Sequence, residues 1–251
     1  MDSEIPINSN KWFQNWFDSE HYLKLYHGRD NTEAGKLAKL ICKSTGIQSG
    51  SSVLDLGCGA GRHAIMFSKL GFKVTGYDLS RHLLLEAKSG AICQETKLSL
   101  VRGDIRNLPF KSKFDLVLNI FTSWGYFESD LENLTVLKNA VSLKRDGGFF
   151  VLDFLNAEYV KKNLIPSSIT EFQGVTYSEE RSIRDERVIK SIKFCDGNGE
   201  KCFKESVRLF DHDQIIEVFK ETGVSNISLF GDYDGSRFEK SNSPRIICLV
   251  S

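Results

Sequence analysis

The chain has 251 residues, 41% of them hydrophobic, and 33 Lys+Arg balance 33 Asp+Glu to a formal net charge of zero. That is enough apolar material for one sizeable core, and the balanced charge gives no global pull towards nucleic acid, though it is compatible with a local basic patch. No stretch is long and apolar enough to span a bilayer and no basic-then-apolar leader is visible, so a soluble, cytoplasmic protein without a membrane partner is expected.

Trp12, Phe13, Trp16 and Phe17 recur at helical spacing, and Tyr22 and Tyr26 lie four apart. The pattern predicts an amphipathic N-terminal helix, part of a helical cap over residues 1–44. That helix either packs on the core or covers a ligand pocket, and one helix can do both. A second helix over 33–43 closes at Gly46.

Val53-Leu54-Asp55-Leu56 then reads as a short strand ending beside an acid. Gly57, Gly59 and Gly61 follow at alternate positions, and a helix begins near Ala64. Strand, tight turn and helix put glycines where the backbone must approach a ligand. A dinucleotide fingerprint would want its third glycine at position 62, where Arg62 stands, and a pyrophosphate would find the carboxylate of Asp55 unhelpful. An amino acid attached to a nucleoside suits the site better, with its carboxylate near the helix N-terminus and its ammonium near Asp55.

The segment from Asp55 to Gly61 resembles the D-x-G-x-G-x-G signature of class I S-adenosylmethionine-dependent methyltransferases. The resemblance implies an α/β fold, a doubly wound, mostly parallel seven-stranded sheet, with S-adenosyl-L-methionine as cofactor and S-adenosyl-L-homocysteine as product. On that pattern the tyrosines 22 and 26 cover the sulfonium by cation–π attraction and exclusion of water. Residues 73–78 read as strand two. Asp78 at its end can accept both ribose hydroxyls, and the resemblance puts Leu79 in the same subsite. Ser80 is a candidate N-cap for the helix through Leu83 and Ala87.

Strand three covers 98–101. The following Asp104 resembles the family's acid that accepts from the adenine amino group, with the Ile105 amide donating to a ring nitrogen. Strand four covers 114–120 and carries Asn119, included in the cofactor site by the same resemblance. The loop after it, Phe121-Thr122-Ser123-Trp124-Gly125-Tyr126-Phe127, lacks the Asn/Asp-Pro-Pro-Tyr/Phe motif of many amino-methylating enzymes. It resembles instead the loop of a bacterial small-molecule methyltransferase family mostly without assigned substrates.

A helix over 131–143 leads to strand five at 149–153. Asp153 and Asn156 end that strand, where either could bind substrate or cap the next segment. From 170 to 210 helical periodicity gives way to alternation, broken at 196–199. This predicts an antiparallel β hairpin inserted between strand five and the last helix, with interleaved charges forming a solvated face. The six cysteines lack zinc-ligand spacing. Cys195 and Cys202 could face each other across the hairpin, although reduced thiols are the expectation. Asp211 and Gln214 form a candidate capping box, His212 a surface residue beside it, and 227–230 with 245–250 a closing pair of strands.

A sulfonium is an activated electrophile, so no metal is implied. In-line displacement asks mainly for orientation of the nucleophile. Substrate-side candidates are Tyr22, Tyr26, His63, Tyr126, Asp153 and Asn156, with His63 read as an orienting or packing group and no catalytic residue assigned. The leading reading is methyl transfer to an N or O atom of a small molecule. The alternatives are a tRNA base-modifying methyltransferase, a cofactor-binding protein without turnover and, remotely, an NAD-binding enzyme.

Overall fold

The aromatic N-terminal segment forms two short helices, α1 (Trp12–Phe17) and α2 (Glu20–Leu25), in place of the single one expected. Ser19 breaks it: its backbone is extended and its side chain accepts from His21 N, so it caps α2. The structure, a computed structural model, describes residues 12–251 apart from 30, 198 and 225. Positions 1–11 of the expected cap and residue 198 of the expected hairpin turn lie outside the described residues.

α3 (Asn31–Thr45) is followed by β1 (Ser52–Leu56), α4 (Arg62–Lys69), β2 (Lys73–Asp78), α5 (Arg81–Cys93), β3 (Leu98–Arg102) and β4 (Phe114–Asn119). Then come α6 (Asp130–Val141), β5 (Lys144–Leu155) and α7 (Ala157–Asn163). β6 (Ser167–Phe172), β7 (Val175–Arg184), β8 (Arg187–Asp196) and β9 (Gly199–Arg208) form a separate antiparallel sheet. α8 (His212–Glu221), β10 (Ile227–Phe230) and β11 (Arg245–Val250) complete the chain. α8 opens on the expected capping box, Asp211 with Gln214.

The main sheet has seven strands in the order β10-β11-β5-β4-β1-β2-β3. Its pairs from β5 to β3 are parallel, and β11 runs antiparallel to both neighbours. The antiparallel strand therefore sits one place in from the edge, which β10 occupies. Alternate residues feed opposite faces: Leu54 and Leu56 join one apolar cluster with Val117, while Val53 joins another with Leu116 and Leu118. Burial on both faces explains the near-continuous apolar runs of these strands.

The insertion is larger than one hairpin. β6 and β7 precede the β8–β9 hairpin that the alternation indicated. Across that hairpin Cys195 stands opposite Glu200 and Cys202 opposite Lys193, so the two cysteines are not directly paired, and both are free and exposed. A third apolar cluster joins this sheet to the first two helices: Trp16 and Leu25 bury themselves against Tyr177, Ile192 and Phe194. Trp16 Nε1 donates to Glu205 at 2.7 Å, and His21 Nδ1 lies 2.8 Å from the Tyr177 hydroxyl. Among the described residues no helix is long and apolar enough to cross a membrane.

Candidate active site

A cavity of about 950 Å³ lies over the carboxyl ends of β1 to β4, with α1 and α2 contributing to its walls. Its floor is the glycine turn. Gly57 has φ +73°, and a Cβ there would come within 2.6 Å of Ser123 Cβ, so turn and post-β4 loop approach each other only because the residue is glycine. Gly57 and Gly59 line the cavity and Gly61 does not. Gly61 precedes α4 with φ +79°, and a Cβ would lie 2.9 Å from Ala87 Cβ. It serves close packing of α4 on α5 rather than ligand contact.

Asp55 is 1% exposed and lines the cavity, and its Oδ2 has no hydrogen-bond partner. Burial, and then the charge of Asp78, push its carboxyl up to about 7. Asp78 accepts from Gly59 N and Ser80 N, each at 2.8 Å, through different oxygens, and burial raises its carboxyl too. Leu79, Asp104 and Ile105 line the far end. The Asp104 carboxylate is gripped by Arg106, whose Nε lies 3.0 Å from Oδ1. Arg106 also reaches Glu132 at 3.1 Å.

Tyr22 and Tyr26 both line the cavity. The Tyr26 hydroxyl is committed to the inserted sheet, donating to Glu205 Oε1 at 2.6 Å and accepting from Lys190, so its ring is what the pocket sees. Between them sits Arg29, which the sequence reading did not single out. Its guanidinium stacks 3.6 Å from the Tyr26 ring centre, lies 4.7 Å from that of Phe121 and donates to the Tyr22 hydroxyl at 2.8 Å. Among the described residues no carboxylate pairs with it. The signal available was an arginine closing an aromatic run.

His63, whose ring centre lies 6.2 Å from that of Phe121, is 7% exposed with an unpartnered Nε2. Burial, then Arg62 and Arg245, push it down to about 3, which keeps the imidazole neutral at ordinary pH. The Tyr126 hydroxyl donates to Thr122 O, burial raises its pKa, and its ring packs among Trp12, Phe13 and Phe17. Arg187 of the inserted sheet clamps the same loop, donating to the carbonyls of Gly125, Tyr126 and Phe127.

Three more of the named residues lie outside the cavity lining, and Asn156 takes the capping alternative. Asp153 is fully buried and outside the cavity lining, holding Phe121 N, Tyr233 and Arg245 instead. Asn119 is also absent from the lining, its Nδ2 facing Leu56 O and Ser123 O at 3.4 Å behind the loop. Asn156 caps α7, accepting from Glu158 N, and donates to Lys240 O and Ser243 O.

Residues 53–148 match a family described as "Methyltransferase domain". A putative methyltransferase of Geobacillus sp. (strain WCH70) is 31% identical over 111 residues, 44% of this chain; the chain thus spans less than half, 45%, of that relative's length. The glycine/sarcosine N-methyltransferase of Aphanothece halophytica is 22% identical over 89% of this chain and 83% of its own. Among solved structures, an S-adenosylmethionine-dependent methyltransferase from Clostridium acetobutylicum ATCC 824 aligns with a TM-score of 0.77 and 25% identity, covering 92% of this chain and 96% of its own.

The chain carries a match to a methyltransferase domain and is similar over most of its length to an S-adenosylmethionine-dependent methyltransferase of known structure. This chain's cofactor site fits S-adenosylmethionine on its own chemistry. The orphaned Oδ2 of Asp55 would receive the cofactor's ammonium, and the stacked guanidinium of Arg29, paired with no carboxylate among the described residues, would receive its carboxylate. Asp78 keeps lone pairs for the ribose, while the Arg106 fork leaves Asp104 less free to meet the adenine amine than the bare sequence implied. For a methyltransferase, an aromatic wall on the acceptor side excludes water from the reacting sulfonium.

Proposed function

We propose that the enzyme methylates a small cytoplasmic molecule by in-line displacement on the sulfonium of S-adenosylmethionine, and that of the N and O acceptors open to it the acceptor is an amine nitrogen. What supports the amine is the protonation behaviour of three groups that line the cavity. The phenols of Tyr22 and Tyr126 are pushed up by burial and His63 is pushed down to about 3. None of these groups is poised to take a proton near neutral pH. A hydroxyl acceptor needs such a base in the transition state; an amine enters as the free base after losing its proton to solvent.

In this reading the protein's own residues orient and dry the acceptor. Tyr126, Phe17 and Phe203 shape the pocket, and the neutral His63 imidazole is available as a hydrogen-bonding group. The name of the Aphanothece relative, an N-methyltransferase of two small amines, agrees with it. A tRNA substrate would ask for an open, basic approach, whereas this cavity is walled by helices and the chain has zero formal net charge.

The test is a screen of small amines, phenols and acids for transfer of labelled methyl from S-adenosylmethionine. Turnover is expected for amines. Salt-sensitive tRNA binding, with label appearing in tRNA and in no small molecule, would replace this reading by the RNA one.

A further inference from the structure

Two consecutive non-glycine residues at the cavity edge adopt the left-handed backbone region: Phe121 with φ +58° and Thr122 with φ +63°. A bulky side chain takes that conformation only where its surroundings over-determine it, and such strain gathers at functional sites. Here the restraint comes from outside the cavity. Asp153 Oδ2 accepts from Phe121 N and from the Tyr233 hydroxyl, both at 2.9 Å. The Asp153 carbonyl accepts from Thr122 N at 3.0 Å. Arg245 bridges the pair, donating from Nε to Asp153 Oδ1 at 2.7 Å and from its terminal nitrogen to Thr122 Oγ1 at 3.0 Å.

What the turn achieves is the placement of one ring. Phe121 lines the cavity, and its ring centre lies 4.7 Å from the guanidinium of Arg29. Arg29 is thus held between Phe121 and Tyr26, and Tyr22 is its hydrogen-bond partner. A guanidinium confined between two rings has fewer orientations to lose when it meets a carboxylate. Asp153, Thr122, Tyr233 and Arg245 do not themselves line the cavity.

We propose that Asp153, Tyr233 and Arg245 are positioning residues for the cofactor: they lock the left-handed turn that sets Phe121 against Arg29, and so fix the guanidinium that meets the cofactor's carboxylate. The inference concerns cofactor affinity and does not depend on which acceptor is methylated.

The test uses the full chain and S-adenosylmethionine alone, with titration calorimetry. Tyr233→Phe removes one hydroxyl remote from the ligand, and Kd should rise about tenfold. Arg29→Lys should weaken binding at least as much, because the ammonium cannot stack or fork as the guanidinium does. Glycine adopts positive φ without strain, so in a Thr122→Gly background Tyr233→Phe should raise Kd by no more than about threefold, a non-additivity that reports coupling. A purely structural hydroxyl would lower the melting temperature of Tyr233→Phe and leave Kd unchanged, or cost the same in both backgrounds; either outcome overturns the proposal. An unaltered Kd in Arg29→Lys overturns it at the other end. If Tyr233→Phe does not fold, Arg245→Lys, which keeps the charge and loses the bridge from Asp153 to Thr122, is read by the same criteria.

Discussion

Replacing Asp55 by Asn should stabilise the ligand-free enzyme in a pH-dependent way while weakening its hold on cofactor. In the fold the carboxyl is 1% exposed, with Asp78 nearby, and ionises at about 7, against 3.8 in an unfolded chain. Between those values the native state binds the proton that the unfolded state has lost, so stability falls as pH rises through the window. At about 1.4 kcal/mol per unit, the full window amounts to about 4 kcal/mol. Asparagine does not titrate. The stability advantage of Asp55→Asn over wild type should therefore grow by about 2–3 kcal/mol between pH 5 and pH 8. Urea unfolding without cofactor at the two pH values measures it. His63, pushed down to about 3, works in the opposite sense, contributing stability that is lost as pH falls below 6.5. It does so in both proteins and cancels in the difference. With S-adenosylmethionine present the order should reverse in affinity: the variant, lacking the anion for the ammonium, should bind about tenfold or more weakly at pH 8. A stability gap that stays constant from pH 5 to pH 8 would refute the assignment of Asp55 as a buried acid waiting for a cation.

Asp78→Ala should lower S-adenosylmethionine affinity about a hundredfold by calorimetry with the circular dichroism spectrum retained, since both a ribose acceptor and the Gly59 contact are lost; NAD bound by wild type at comparable affinity would contradict it. Gly61→Ala meets both a φ of +79° and Ala87 at 2.9 Å, and should cost about 2–3 kcal/mol in urea. Arg187→Met removes the clamp on the loop carbonyls of Gly125, Tyr126 and Phe127, of which Gly125 O keeps Arg208 N and Phe127 O keeps Asn133 Nδ2, and should destabilise by about 1–3 kcal/mol in the same assay; a neutral result would mean that the inserted sheet does not hold the Tyr126 loop.

The strand, glycine turn and helix around Asp55 were legible because their information is local. Strand, acid, glycine turn and helix follow one another within residues 53–67, and Ser80 and Asp211 cap the helices their positions predict. Asp153 was misread because its partners are remote: Phe121, Tyr233 and Arg245 lie 32, 80 and 92 residues away. A strand-end acid looks the same in sequence whether it faces a ligand or a buried arginine. Gly61 carries the family pattern, yet its contact is with a methyl on the next helix, which no motif spacing reveals. Arg187 sat within an interleaved run of charges, and nothing in the alternation told it from its solvated neighbours. The N-terminal break was readable, since Ser19 is a good cap, but the aromatic periodicity on both sides masked it.

The union of the first two helices with the inserted sheet bears on the order of synthesis. Trp16 ends fully buried, and its indole bonds to Glu205, 189 residues further along. A growing chain has therefore displayed Trp16 through the synthesis of the 189 residues to Glu205 before β9 leaves the ribosome. The Rossmann-like strands up to β5 can pair in the meantime, because each finds its neighbours early. The walls supplied by Tyr22 and Tyr26 must wait, so the binding chamber is completed only after the sheet that carries it. Nascent chains stalled before residue 208 should accordingly have a largely paired sheet and no affinity for the nucleoside.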